Sequence, residues 1–92
     1  MSAPTSTDPV GSWYVYIVRC ADASLYTGIT KHVDARLAKH NAGVGARYTC
    51  GRRPVELVYL ESADDRGAAL RREAQIKRLS ADRKRQLLTQ QR

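Results

Sequence analysis

The apolar and polar positions first fall into a clear pattern at Trp13 to Arg19 (WYVYIVR), a run dense in β-branched and aromatic residues that reads as a strand. Successive side chains alternate between faces, so Trp13, Val15 and Ile17 share one side and Tyr14, Tyr16 and Val18 the other. Neither face is polar, which places the strand in the middle of a sheet, covered on both sides. Ala21 to Ser24 is short and polar enough to turn the chain. Leu25 to Thr30 (LYTGIT) is a second strand, so the pair forms a hairpin. Gly28 inside it predicts the close approach of another group.

From His32 to Ala42 the period becomes helical, with Val33 and Leu37 at i, i+4 and Gly43 as the stop. Gly43 to Arg53 (GVGARYTCGRR) holds three glycines, three arginines and one tyrosine, and reads as a basic loop. Pro54 opens a third strand, Val55 to Glu61. Ser62, with Asp65 three residues on, resembles a capping box, and a helix is expected to run to about Leu79. Ser80 caps a last, shorter helix towards Gln90. The order is β-β-α-β-α-α, an α+β arrangement around a small sheet. A βαβαβ alternation and a GxGxxG fingerprint are both missing, which argues against a dinucleotide fold.

Ninety-two residues allow one domain. Residues 1–11 are rich in Ser, Thr, Pro and Asp and are expected to form a disordered tail, leaving residues 12–92 as the domain. That is near the lower end of what one hydrophobic core supports unaided. Cys20 and Cys50 fall in no metal-ligand pattern and read as free thiols in a reducing cytosol. With no signal-like stretch and no apolar run of membrane-spanning length, a cytoplasmic location is expected.

Charge narrows the function. Sixteen bases against nine acids give a net charge of +7, and twelve of the bases are Arg. Arg is suited to bidentate phosphate contacts, so nucleic acid is the leading partner. Lys31, Lys39, Arg47, Arg52 and Arg53, with Tyr48 as a base-stacking or loop-anchoring group, are the candidate contacts.

Some polar residues stand where packing alone would not put them. Arg36 and His40 lie one turn apart, on the same arc as Val33 and Leu37. In the next long helix Ala68, Ala69, Leu70, Ala74, Ile76 and Leu79 form a broad apolar arc, and Glu73 falls inside it. A carboxylate there needs a cation beside it. Lys77 offers an i, i+4 pair of only a few tenths of a kcal/mol. A divalent ion compensates better, which makes Glu73 the metal-ligand candidate.

Tyr14-Val15-Tyr16, nine intervening residues and Tyr26-Thr27-Gly28 together resemble the paired signature of the GIY-YIG nuclease superfamily. Arg36 ten residues after Tyr26, His40 one turn later and Glu73 in the next long helix follow in the family's order. The basic loop before Pro54 resembles the small stand-alone bacterial branch. The resemblance implies a three-stranded antiparallel sheet flanked by helices and metal-dependent cleavage of DNA phosphodiesters. Carried over by motif, Tyr16 and Tyr26 position or deprotonate the attacking water, and Arg36 holds the scissile phosphate. His40 assists proton movement or binds phosphate, and Glu73 holds a single Mg2+ or Mn2+. Tyr14 stands where the family name has Gly. The family's late phosphate-contacting Asn has no match after Glu73, where Gln86 and the late arginines are the remaining polar candidates. A phenol with a reference pKa of about 10 is also a poor base at neutral pH unless its phenolate is stabilised.

Three readings follow: an endonuclease acting on DNA, including branched, flapped or single-stranded forms, in repair or recombination; a nucleic-acid-binding module of the same fold without catalysis; and an adaptor that binds an acidic partner protein. Oligomeric state and the choice of DNA over RNA are left open.

Overall fold

The computed structural model describes residues 12–90, and the tail expected at residues 1–11 lies outside them. The elements are β1 (Trp13–Arg19), β2 (Leu25–Thr30), α1 (Val33–Asn41), α2 (Arg47–Cys50), β3 (Glu56–Ala63), α3 (Arg66–Lys77) and α4 (Ala81–Gln90). The strands form one antiparallel sheet in the order β2-β1-β3. The fold is the expected α+β arrangement.

The sheet has β1 at its centre because both faces of β1 are apolar. Val15 and Ile17 pack with Tyr59, Ala69 and Ile76 on one side. Tyr16 and Val18 pack with Cys20 and Val55 on the other. Each fully buried branched side chain contributes about 1.5–3 kcal/mol, so this one strand anchors two small cores. The β1–β3 register slips once, from Ile17↔Tyr59 to Val18↔Leu57, a bulge that leaves Val58 as the extra residue.

Several expected boundaries need correcting. β3 spans Glu56–Ala63 rather than Val55 to Glu61, because its pairing with β1 continues through Tyr14↔Ser62 and Trp13↔Ala63. Ser62 is therefore a strand residue and not a cap. Asp65 is the N-cap of α3, its carboxylate accepting from the Ala68 amide at 2.8 Å. The basic loop is not wholly irregular, since Arg47–Cys50 closes one helical turn. Leu70 lies on the flank of α3 and is 38% exposed; the stripe facing the sheet is Ala69, Glu73 and Ile76. Ser80 caps α4 as expected, accepting from the Arg83 amide at 3.2 Å.

Candidate functional site

The hairpin register sets Tyr16 directly opposite Gly28. A Cβ at Gly28 would stand 2.5 Å from the Tyr16 hydroxyl oxygen and 2.7 Å from Cζ. The absent side chain is what lets the Tyr16 ring lie across β2, the close approach that Gly28 predicts. The hydroxyl then meets α1. His40 Nε2 is 2.8 Å from the Tyr16 oxygen, and Arg36 Nε donates to the same oxygen at 3.3 Å. His40 is fully buried, and its Nδ1 lies 2.7 Å from Thr49 Oγ1 in α2. Thr49 in turn donates its hydroxyl to the Ala46 carbonyl at 3.0 Å. The end of α1 supports this placement: the Gly43 amide donates to the His40 carbonyl at 3.1 Å, and the Val44 amide to the Lys39 carbonyl at 3.0 Å.

Tyr26 borders the cluster. Its ring meets His40 edge-on, with centroids 5.5 Å apart, and stacks on Tyr48 at 5.8 Å. Arg52 lies 4.0 Å over the Tyr48 ring and donates from Nε to Asp22 at 3.0 Å. Tyr16, Tyr26, Arg36 and His40 are thus brought together.

Electrostatics in the cluster favour neutral rings beside one cation. Burial raises the pKa of Tyr16, and the hydrogen bond and charge of Arg36 offset this only in part. Burial, aided by the Arg36 charge, lowers that of His40. The hydrogen bond to Tyr16 holds Arg36 more firmly in its charged form, against the opposing effect of burial. Arg36 forms no ion pair among the described residues. The hydrogen-bond partner of its Nε is a phenol rather than a carboxylate.

Glu73 lies on the sheet-facing stripe of α3 with a side chain 18% exposed, and it does take Lys77 as an ion-pair partner at 3.2 Å. Lys77 in turn sits with its Nζ 6.0 Å over the Tyr26 ring, so the pair lies towards the β2 side of the sheet. Among the described residues no three His, Cys, Asp or Glu side chains cluster as a metal cage. One part-buried carboxylate fits an Mg2+-type ion, which keeps several waters and completes its shell with substrate phosphate.

The candidate nucleic-acid contacts divide. A cleft of about 370 Å³ between β2 and α1 is lined by Trp13, Thr30, Lys31, His32, Arg36 and Lys39, and all its charged lining residues are basic. Lys31 and Lys39 belong to it. Arg47 is exposed on α2. Tyr48, Arg52 and Arg53 also make contacts within the protein: Tyr48 with Tyr26 and Arg52, and Arg53 with the Cys50 carbonyl at 3.0 Å. Asn41, the chain's lone Asn, bridges both backbone groups of Val55, accepting at 2.8 Å and donating at 3.2 Å, and so pins the start of β3 to the end of α1. Thr49 and Gly45 have no counterpart among the sequence candidates. Both lie in a glycine-rich stretch whose composition reads as loop, and only the three-dimensional contact with His40 reveals them.

The profile described as the GIY-YIG catalytic domain matches residues 12–86. The chain belongs to the GIY-YIG family. It is similar to a UPF0213 protein of Haloquadratum walsbyi, 57% identical over 74 residues that cover 80% of this chain and 83% of that protein. Another UPF0213 protein, from Staphylococcus haemolyticus, is 58% identical over 71 residues, 77% of this chain and 87% of the relative. Among solved structures, the solution NMR structure of a UPF0213 protein from Bacillus halodurans is 45% identical with a TM-score of 0.56, covering 85% of this chain and 83% of that one. A solution NMR structure of an E. faecalis protein reaches a TM-score of 0.62 at 37% identity, covering 91% and 90%. GIY-YIG proteins are a nuclease family, which implies a nucleic-acid substrate, and GIY-YIG nucleases typically use a divalent metal. No helix among the described residues is long and apolar enough to cross a membrane.

Proposed function

We propose that this GIY-YIG protein is a metal-dependent endonuclease that hydrolyses DNA phosphodiester bonds, with DNA repair or recombination as its setting. One observation carries the reading: the Tyr16 hydroxyl is held between a cation that donates to it, Arg36, and a buried imidazole 2.8 Å away, His40. That arrangement answers the difficulty of a tyrosine base. Tyr16 rests as the neutral phenol, since burial raises its pKa. As the attacking water gives up a proton to the Tyr16 oxygen, the phenol passes its own proton to His40 Nε2. The products are hydroxide, a neutral Tyr16 and an imidazolium, so phenolate need not accumulate.

Arg36 lines the basic cleft and meets the scissile phosphate there, where its unpaired charge stabilises the extra negative charge of the transition state. Tyr26, beside both His40 and Arg36, orients the water. Lys31 and Lys39 hold neighbouring phosphates along the cleft. Glu73 would hold the divalent ion, Mg2+ or Mn2+, whose charge polarises the phosphate and the leaving oxygen.

The test is a nicking assay on linear, supercoiled and branched DNA with Mg2+ or Mn2+. Cleavage is expected from the native chain and should disappear in Glu73→Gln and Arg36→Ala while circular dichroism stays native. Undiminished cleavage in both variants rejects the assignment. The Glu73–Lys77 pair favours one alternative, a binding module of the same fold. Salt-steep DNA binding without product under any divalent metal would establish that instead.

A further inference from the structure

Which His40 nitrogen carries the proton decides whether the relay can run, and hydrogen-bond accounting across four side chains answers the question. Arg36 sits at one end and can only donate; the Ala46 carbonyl sits at the other and can only accept. Between them lie Tyr16, His40 and Thr49, joined at 3.3, 2.8, 2.7 and 3.0 Å. In the forward direction each group donates to the next. The Tyr16 hydroxyl goes to Nε2, Nδ1–H goes to Thr49 Oγ1, and the Thr49 hydroxyl goes to Ala46. In the reverse direction Nε2–H and Arg36 both donate to the Tyr16 oxygen, and the Tyr16 proton is left with no acceptor among the described residues. Tyr16 is 2% exposed, so an unmet hydroxyl there is disfavoured.

We propose that Thr49 is the positioning residue of the site: its hydroxyl accepts from His40 Nδ1–H and thereby keeps Nε2 bare to receive the Tyr16 proton. Thr49 itself is fully buried and touches neither the cleft nor the reacting atoms. Its reach depends on Gly45. A Cβ there would stand 2.7 Å from His40 Nδ1 and 2.9 Å from His40 Cα, so a side chain at position 45 would push the turn off the imidazole. The same turn seats Tyr48 against Tyr26, so the loop between α1 and β3 is built onto the proton relay rather than beside it. The importance of the bare Nε2 rests on the nuclease reading; the tautomer does not.

Two-bond proton–nitrogen correlation spectra of the full chain at pH 7.5 test the proposal directly. The chain has two histidines, and exposed His32 is the internal reference. Native His40 is expected to show a protonated Nδ1 and a bare Nε2. Thr49→Val keeps the shape but removes the hydroxyl, and should move His40 towards protonated Nε2; Thr49→Ser should restore the native pattern. Cleavage should fall by roughly 10–100-fold in Thr49→Val, carried by kcat with KM unchanged, and recover in Thr49→Ser. A native spectrum with protonated Nε2 overturns the proposal, as does a folded Thr49→Val with an unchanged tautomer. If Thr49→Val does not fold, the native spectrum alone still decides the direction of the chain. Absence of cleavage in every form would defeat the nuclease reading while leaving the tautomer result standing.

Discussion

Two tyrosine–arginine clusters lie on opposite faces of the sheet, and they differ in how the arginine charge is used. On the second face, Tyr59 donates its hydroxyl to Glu61, and Arg72 Nε donates to both Glu61 oxygens at 2.9 and 3.1 Å. Carboxylate and guanidinium neutralise each other, and the tyrosine merely completes the carboxylate's shell. Around Tyr16 the same residue types meet without an acid in the hydrogen-bond chain. The cation is left over, and the phenol's acceptor is a neutral ring that can take up a proton. Both phenols have raised pKa values, with burial as the leading cause in each, so a perturbed tyrosine does not by itself mark a site. What differs is the arginine's partner: Arg72 pairs with a carboxylate, whereas Arg36 donates to a phenol backed by an imidazole.

Removing each hydroxyl in turn is the strongest test of that difference. Tyr16→Phe takes away the relay, so cleavage is expected to fall by roughly 10²–10⁴-fold. Tyr59→Phe removes one hydrogen bond from an ion pair that survives it. Its expected cost is about 0.5–1.5 kcal/mol of stability, with cleavage unchanged. Thermal melts beside nicking rates separate the two. Equal losses of activity would erase the distinction between the faces.

The next effect comes from the strand behind Tyr16. Gly28→Ala puts a methyl where the phenol lies, and the ring, being 2% exposed, has little room to retreat. A displacement of about 1 Å at the relay is expected to lower cleavage on the order of 10²-fold. Overpacking should also cost about 1–3 kcal/mol. Gly51→Ala is the matched control. Nothing lies within 4 Å of its Cβ and its φ is −92°, so activity should hold and stability should stay level or rise. Parallel activity losses in both variants would argue against a tight fit at Gly28.

Much of this was legible in the sequence because local pattern and tertiary structure agree. β1 advertises its central place with two apolar faces, and Val33, Arg36, Leu37 and His40 share an arc because helical spacing forces it. Glu73 stands out because a carboxylate interrupts an apolar stripe. The misreadings arise where a distant partner decides. Ser62 looks like a cap until strand pairing with Tyr14 claims it. The ion pair of Arg52 with Asp22, thirty positions earlier, has no local signal. Thr49 has no local signature at all, since its role exists only through the imidazole that folds against it.

Acid should separate the clusters last and most gently. Burial and the Arg36 charge depress the pKa of His40, so the folded protein resists a proton that the unfolded chain accepts at about pH 6.5. Between that pH and the lower folded value the unfolded state binds more protons, and stability therefore falls as pH falls. The contribution is complete above about pH 6.5, and within the window the slope approaches about 1.4 kcal/mol per pH unit. His40→Gln should remove this part of the slope, which urea melts at pH 5 to 8 would resolve. Tyr59 behaves oppositely: its pKa is raised, so its linkage lies above about pH 10, where stability falls as pH rises. Cleavage should follow the same group. Its acid limb is expected below the depressed folded pKa of His40, and so at lower pH than the ordinary imidazole value of about 6.5. The slope should be about tenfold per unit, because only neutral His40 can take the Tyr16 proton. An acid limb that persists unchanged in His40→Gln with residual activity would mean that another group, not this imidazole, receives it.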